Sequence, residues 1–254
     1  MNIITAEASI VRIIQDTHCV KRYQLEFPEL KDLNFQAGQF IILSLPEIKD
    51  EEDKPIKRAY SIASSPDMKD YLELCIKNMA TGGLSTQLND LQVGDKVNVQ
   101  GPFGAFTLQH KQPKYIFLAG GSGISPLMSM VRHMAHEKRG EEILFFFSAL
   151  TRCDLVYEEE LPALVKEFPN IKLIFGISEE EWPAMFKDAP WEKVQGLFNK
   201  DTLAKYMNGI DYEAYICGPE PFINAMKDGL DALGVPKENV HYEDWGTANK
   251  QLAK

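Results

Sequence analysis

The middle of the chain reads Tyr115-Ile-Phe-Leu-Ala-Gly120-Gly121-Ser122-Gly123-Ile-Ser125-Pro126-Leu-Met-Ser-Met130. An apolar run leads into a glycine-rich turn, and an apolar pattern compatible with a helix follows, so the stretch predicts strand, turn and helix. Glycines let the backbone approach an anion closely, and the first N–H groups of a helix point toward it. Pro126 suits the first helical turn, where its missing N–H needs no partner. The stretch predicts a phosphate site, although the same turn also serves as a plain packing device.

The composition is that of a globular protein with room for two domains in 254 residues. The formal net charge of -10 does not favour nucleic acid as a partner, because nucleic-acid binding needs basic patches. No run approaches the roughly 18 apolar residues that a membrane span needs, and the first residues do not resemble a signal peptide. A cytoplasmic location is therefore expected.

Four cysteines, Cys19, Cys75, Cys153 and Cys217, are scattered without a C-x-x-C pair. This spacing argues against a zinc site or an iron–sulfur cluster, so no metal is expected. Buried thiols are the expected state of most of the four in a cytoplasmic protein.

The first half of the chain contains short apolar segments separated by turn residues. Their partial period-two alternation predicts an antiparallel β-sandwich or small β-barrel, with strands at residues 8–14, 22–27, 39–45, 71–77 and 96–99. A short helix is predicted at residues 85–91. The polar residues 46–57 predict an exposed loop.

Two segments of this half have the chemistry of a dinucleotide site. Arg58-Ala59-Tyr60-Ser61 places a cation that grips phosphate on the same strand face as a ring that stacks on a heterocycle. Its alternative is an exposed edge strand with an unrelated Arg and Tyr. The passage over residues 81–86 offers N–H groups and hydroxyls to a second anion, or is simply a capped helix. Together they suggest a dinucleotide that carries a flat ring.

After a linker at residues 110–113, apolar runs alternate with helical patterns. Strands are predicted at residues 142–147, 171–175, 214–217 and 240–242, and helices at 125–137, 158–168, 200–207 and 221–233. This alternation predicts a parallel sheet covered on both faces, with a ligand at the carboxyl ends of its strands. The glycines at 120 and 218 both fall at such ends, so they should meet in one crevice.

Five motifs resemble those of the ferredoxin–NADP⁺ reductase superfamily, in the family's order over residues 5–245. They are Arg58-Ala59-Tyr60-Ser61, Gly82-Gly83-Leu84-Ser85-Thr86, Gly101-Pro102-Phe103-Gly104, Gly120-Gly121-Ser122-Gly123-Ile124-Ser125-Pro126 and Cys217-Gly218-Pro219. The resemblance implies an antiparallel β-barrel that holds FAD, over residues 1–110. It implies a Rossmann-like parallel α/β domain that holds NAD(P)H, over residues 111–254.

The resemblance also implies roles in flavin binding. Arg58, with Ala59 beside it, would pair with an FAD phosphate, Tyr60 would stack on the isoalloxazine, and Ser61 would hydrogen-bond near the flavin N5. The pyrophosphate would be held by the loop of Gly82, Gly83, Leu84, Ser85 and Thr86.

On the nucleotide side, the resemblance implies that the glycine loop from Gly120 to Pro126 holds NAD(P)H and that Cys217, Gly218 and Pro219 lie beside the nicotinamide. Hydride would pass from the nicotinamide C4 to the flavin N5, with Ser61 and Cys217 aligning the two rings. Cys217 could instead be a small residue buried at a strand end. Glu243 is a candidate proton donor, and Trp245 either shields the flavin or fills the seam between the domains.

The choice between NADH and NADPH depends on the loops after the second and third strands of the α/β domain. Ser148 and Arg152 could contact a 2′-phosphate, but Glu179-Glu180-Glu181 would repel it. NADH is therefore the predicted donor.

The chain ends nine residues after Trp245 without the cysteines of an iron–sulfur domain. We therefore expect an enzyme, an NAD(P)H-dependent flavoprotein reductase that passes electrons to a separate ferredoxin or oxygenase component. A local basic patch at Lys54, Lys57 and Arg58 could receive such a partner, although the acidic charge disfavours an acidic ferredoxin. The alternatives are a reductase of free flavin or quinone and a non-catalytic flavin-binding electron-transfer subunit.

Overall fold

The structure is a computed structural model that describes residues 3–50, 52–78 and 84–244. Its contacts divide the chain into two compact units. One contains the described residues up to Leu108 together with Ser125–Glu137, and the other contains Gln109–Ile124 and Lys138–Asp244.

The first unit is built on a six-stranded antiparallel sheet. Its strands are β1 (Ile4–Gln15), β2 (Val20–Glu26), β3 (Phe40–Lys49), β4 (Pro55–Ser61), β5 (Leu72–Lys77) and β6 (Lys96–Phe103), and a short helix α1 covers Leu84–Asp90. The strand order is β4-β3-β6-β1-β2-β5. An antiparallel bridge between Ile62 and Leu74 joins the two edge strands of this order, which closes the sheet toward a barrel. The predicted antiparallel β class is confirmed.

The core of this unit comes from the side chains that alternate inward along its strands, among them Ile10, Leu25, Leu43, Leu74 and Val99, each exposed by no more than 1%. Full burial of such a side chain contributes about 1.5–3 kcal/mol. Leu84 and Leu88 on α1 join the same cluster, so α1 is fixed by its apolar face.

The predicted exposed loop over residues 46–57 is shorter in the structure. β3 continues to Lys49 and β4 begins at Pro55, and these two residues are paired. The Asp50 carboxylate accepts hydrogen bonds from the backbone N–H groups of Glu52 and Lys54, which tightens the turn between the strands. The predicted loop was too long at both ends, where its residues belong to β3 and β4. Charged residues do not separate a loop from an exposed edge hairpin, because they occur in both.

The second unit is a six-stranded parallel sheet with the order β10-β9-β8-β7-β11-β12. Its strands are β7 (Lys114–Gly120), β8 (Glu142–Ala149), β9 (Ile171–Ile177), β10 (Glu192–Gln195), β11 (Tyr212–Cys217) and β12 (Val240–Glu243). The helices are α2 (Ile124–His136), α3 (Glu160–Glu167), α4 (Lys200–Tyr206) and α5 (Glu220–Ala232). The predicted alternation is confirmed, and β10 is a short edge strand that the pattern did not reveal.

The strand order reverses direction at β7, because β8 lies on one side of it and β11 on the other. Loops that leave neighbouring strands in opposite directions open a crevice at their carboxyl ends. The glycine turn after β7 and the Gly218 turn after β11 both lie at this point. The topology therefore brings the two glycine turns together at the sheet edge where the sequence predicts a ligand.

Helix α2 begins at the glycine turn, but its body belongs to the first unit. The Arg132 guanidinium donates to the Ala63 carbonyl and to the Glu73 carboxylate, at 2.7 and 2.9 Å. Burial alone would raise the pKa of Glu73, but Arg132, Gln24 and Arg22 hold that pKa below its usual value. A buried, charged contact therefore fixes α2 in this unit.

In the part of the chain that the structure describes, no helix is long and apolar enough to cross a membrane.

Candidate nucleotide and flavin sites

Gly123 is required for contact between the two turns at the switch point. A Cβ atom at this position would lie 2.4 Å from the carbonyl carbon and oxygen of Cys217 and 2.5 Å from the Gly218 nitrogen. No side chain fits there without a shift of the backbone. The two loops thus touch through their main chains, which leaves backbone rather than side chains at the edge of the sheet.

Gly120 and Gly218 also leave little room for a side chain. A Cβ on Gly120 would meet the Phe222 ring at 3.0 Å, and a Cβ on Gly218 would lie 3.0 Å from the Gly120 Cα. Gly121 differs, since its φ of 53° is in the left-handed region while a Cβ there would meet no atom of the described residues within 4 Å. Gly121 is therefore the point at which a ligand can approach the backbone.

The start of α2 follows this turn and directs its first N–H groups toward the same edge. Ser122 is exposed and Ser125 is buried, and the Ser125 hydroxyl donates to the Cys75 carbonyl at 3.4 Å. Pro126 lies in the first turn of α2, as expected. Ser148 pairs with Gly120 in the register of β7 and β8. A tight glycine turn, open space at Gly121 and a helix start fit the pyrophosphate of a dinucleotide.

Arg152 lies in a 3-10 turn after β8. Its guanidinium pairs with the Glu158 carboxylate at 2.9 Å and lies over the Phe186 ring, 4.8 Å from the centroid. The structure therefore places Arg152 where the sequence predicted it but gives it protein partners.

Cys217 and Glu243 are neighbours in register at the ends of β11 and β12. The Cys217 side chain is fully buried. Burial also raises the pKa of Glu243 to about 8, and its Oε2 atom has no hydrogen-bond partner among the described residues. Near neutral pH the carboxyl of Glu243 therefore carries a proton that it can donate.

Glu213 and His241 form a pair on the same two strands, with Glu213 four residues before Cys217 and His241 two residues before Glu243. Glu213 is fully buried, its Oε1 atom lies 2.5 Å from His241 Nε2, and the Tyr215 ring stacks on the imidazole at 4.9 Å. Sequence reasoning missed this pair. The available signal was a glutamate inside an otherwise apolar strand, since buried charges need partners.

The flavin segment forms β4 in the first unit. Ala59 and Ser61 are buried, whereas Arg58 and Tyr60 lie on the other face and are partly exposed. Arg58 donates to the Lys57 carbonyl at 2.8 Å, and burial raises the pKa of Tyr60. A cation and an aromatic ring side by side fit the phosphate and the ring system of a flavin nucleotide.

The second predicted flavin segment is described only in part. Leu84 is buried in the barrel core at the start of α1, while Ser85 and Thr86 are partly exposed. Gly82 and Gly83 lie outside the described residues, as does Trp245. The Leu84 side chain points to the core, so only its backbone is available to a ligand.

Two protein-family models match the chain. The model described as "Oxidoreductase FAD-binding domain" matches residues 7–108, and "Oxidoreductase NAD-binding domain" matches residues 117–228. Together they cover most of both units.

The chain is similar to reductase components of oxygenases. It is 30% identical over 240 residues to the reductase component of propane 2-monooxygenase from Mycolicibacterium goodii. It is 29% identical over 239 residues to the glycine betaine monooxygenase reductase subunit of Chromohalobacter salexigens. Each alignment covers 93% of this chain, which spans 66% and 63% of the lengths of the two relatives.

The fold is similar to that of the Amycolatopsis cytochrome P450 reductase GcoB, with a TM-score of 0.81 and 23% identity over 96% of this chain and 70% of that one. The fold and the sites thus define a two-domain oxidoreductase module that combines an FAD-binding domain with an NAD-binding domain. The chain belongs to the ferredoxin–NADP⁺ reductase superfamily.

Proposed function

We propose that the protein is an NAD(P)H-dependent flavoprotein reductase, which takes electrons from a reduced nicotinamide and passes them to a separate acceptor. The observation that carries the proposal is the backbone junction of Gly123 with Cys217 and Gly218 at the switch point of the parallel sheet. This junction lies in the NAD-binding domain and follows an FAD-binding domain in the same chain. Bound FAD would accept a hydride from the nicotinamide and release the electrons to the acceptor.

The residues of the chain then bind and orient the two cofactors. In the barrel, Arg58 pairs with a flavin phosphate, Tyr60 stacks on the ring system, and Ser61 hydrogen-bonds the ring edge. The backbone of Ala59 and the segment of Gly82, Gly83, Leu84, Ser85 and Thr86 complete the flavin site, with Trp245 beside the ring.

In the α/β unit, Gly121 and the start of α2 bind the nucleotide pyrophosphate, together with Gly120, Ser122, Gly123, Ser125 and Pro126. Cys217, Gly218 and Pro219 border the nicotinamide. Because Cys217 is fully buried, its contact with the ring requires the groups that cover it to move. Glu243 holds a proton near neutral pH and is the proposed proton donor for the reduction.

The proposed electron donor is NADH. Residues 179–181 are three consecutive glutamates that follow β9 after Ser178, and Glu179 and Glu180 are exposed. Carboxylates at this edge of the sheet disfavour an additional phosphate group.

The proposed acceptor is a ferredoxin or an oxygenase component. This part of the proposal is supported by the similarity to reductase components of two monooxygenases. We place the protein in the cytoplasm, since Cys19, Cys75 and Cys153 are free thiols, as is usual in a reducing compartment.

Anaerobic titration of the FAD-loaded protein with NADH tests the proposal. Bleaching of the flavin absorbance, followed by its return when an oxidised plant-type ferredoxin is added, is the expected result. A flavin that neither NADH nor NADPH bleaches would overturn the proposal. Loss of FAD during purification, with turnover of added flavin or quinone, would favour a reductase of diffusible acceptors instead.

A further inference from the structure

The loops after β8 and β9 concentrate negative charge at one edge of the parallel sheet. Residues 150–160 and 178–182 contain seven acidic side chains and one basic side chain, Arg152. In a sheet of this topology, the adenosine ribose lies beyond the carboxyl end of the strand next to the glycine-loop strand. In this protein that strand is β8. The partners of Arg152, in the loop after β8, therefore affect whether the site accepts a ribose with or without a 2′-phosphate.

The Arg152 guanidinium is occupied by two protein groups. Nε and Nη2 donate to the two oxygens of Glu158 at 2.9 and 3.4 Å. The planar group also lies over the Phe186 ring, with 4.8 Å between Cζ and the ring centroid. A fork-shaped donor that is paired with one carboxylate and stacked on a ring is not open to a phosphate from those directions.

The backbone of Arg152 is fixed by a second carboxylate. Its N–H donates to Glu180 Oε1 at 2.5 Å, and the Glu180 carbonyl accepts from the Gln195 side chain at 2.8 Å. The N–H groups of Ser178 and Glu179 both donate to the Leu150 carbonyl, at 3.0 and 2.8 Å. The two loops are therefore joined into one preformed acidic surface.

Glu158 is itself held in place by the residue before it. Tyr157 has a φ of 59°, which is unfavourable for a residue with a side chain, and its ring is buried. Such a conformation persists only where the surrounding packing requires it. The turn at Tyr157 thus fixes the direction from which Glu158 meets Arg152.

We propose that Glu158 withholds Arg152 from a 2′-phosphate, and that this pairing makes the site select the unphosphorylated ribose of NADH. The inference rests on the proposed function, because it assigns the nucleotide of the same site. A 2′-phosphate would have to separate Arg152 from Glu158 and also approach the Glu180 carboxylate. An unphosphorylated ribose needs neither change.

Binding of two nucleotide fragments tests this directly, without flavin reduction. Calorimetry compares 5′-AMP with 2′,5′-ADP for the full chain and for Glu158→Gln, which removes the charge at constant shape. In the unaltered protein, 5′-AMP should bind more tightly. In Glu158→Gln, affinity for 2′,5′-ADP should rise about tenfold, as expected when an arginine gains a phosphate partner, with 5′-AMP unchanged within about twofold.

Three further variants make the outcome unambiguous. Glu159→Gln removes a neighbouring exposed carboxylate and should leave both affinities unchanged. The double variant of Glu158→Gln with Arg152→Ala should lose the gain, and Glu180→Gln should weaken discrimination in part. Tighter binding of 2′,5′-ADP by the unaltered protein, or no response to Glu158→Gln, would overturn the inference. If neither NADH nor NADPH bleaches the flavin, the fragment affinities still decide this inference separately.

Discussion

The carboxyl of Glu243 is the side chain whose ionisation the fold changes most clearly at the nucleotide edge of the sheet. Burial raises its pKa from 4.5 to about 8. The folded protein therefore binds this proton more tightly than the unfolded chain does. The resulting stability is present below pH about 4.5 and is lost as the pH rises toward 8.

We predict that Glu243→Gln abolishes this pH dependence. Each unit of pKa corresponds to about 1.4 kcal/mol. The free energy of unfolding of the wild-type protein should therefore fall by on the order of several kcal/mol between pH 5 and pH 8, and that of the variant by much less. Chemical denaturation across this range measures the difference. Glu238→Gln, which removes an exposed glutamate before β12, should behave as the wild type does. If the free energy of unfolding of Glu243→Gln fell with pH as steeply as that of the wild type, the conclusion that Glu243 is buried and protonated would be contradicted.

Arg58 is the residue whose side chain most directly tests the flavin site. Its guanidinium is partly exposed on β4, where its neighbour Lys57 projects from the opposite face. We predict that Arg58→Ala lowers FAD retention at least tenfold, since a lost charged hydrogen bond to phosphate costs about 1.5–3 kcal/mol. Flavin content after gel filtration measures retention. Lys57→Ala is the matched control and should retain FAD, and equal losses in both variants would argue for a general charge effect.

At the scale of elements, the turn between β7 and α2 contains glycines that serve different purposes. Gly123 makes room for the backbone of Cys217, whereas Gly121 has a left-handed φ and open space beside it. Gly123 therefore serves packing, and Gly121 is the glycine that we propose for ligand access. Replacing Gly121 or Gly123 by alanine should separate the effect on ligand binding from the effect on stability.

We predict that Gly123→Ala lowers stability by about 3 kcal/mol, because its Cβ overlaps backbone that must move. Gly121→Ala should cost about 1 kcal/mol through its left-handed φ but should weaken NAD⁺ binding at least as much as Gly123→Ala does. Thermal unfolding and calorimetry with NAD⁺ measure the two effects. Gly140→Ala, at a glycine with open space and no left-handed φ, is the control. A Gly123→Ala variant as stable as the wild type would refute the packing assignment.

At the scale of the whole molecule, the net charge of -10 affects encounters with an acidic acceptor. The predicted basic patch at Lys54, Lys57 and Arg58 is weakened in two ways. Lys54 pairs with Glu52 at 2.6 Å, and Lys57 and Arg58 project from opposite faces of β4. Repulsion between two acidic proteins should therefore dominate at low salt.

We predict that kcat/KM for an acidic ferredoxin rises about threefold between 20 and 200 mM NaCl, because salt screens long-range repulsion. Stopped-flow oxidation of the reduced protein measures this rate constant. A neutral quinone acceptor should show little dependence on salt. A rate that falls with salt would mean that a local basic surface directs docking instead.

The order of the strands and helices could be predicted because periodicity and glycine spacing are local properties of the chain. The same reasoning placed Arg58, the glycine turn and Cys217 on the correct elements. It was wrong about the loop at residues 46–57 and missed β10, where short edge strands carry charged residues. It also could not supply the partners of Arg152, which depend on how the loops after β8 and β9 meet.

The sequence alone thus predicted the two fold types and the two cofactor classes, and it supplied the segments that we propose as their binding sites, since these follow from short motifs in a set order. The folded structure established which atoms meet. Gly123 touches Cys217, Glu213 pairs with His241, and Arg152 pairs with Glu158 and Glu180. These contacts join residues that are distant in sequence, or separated by a turn of unusual φ, so they arise only when strand register and loop geometry are fixed together.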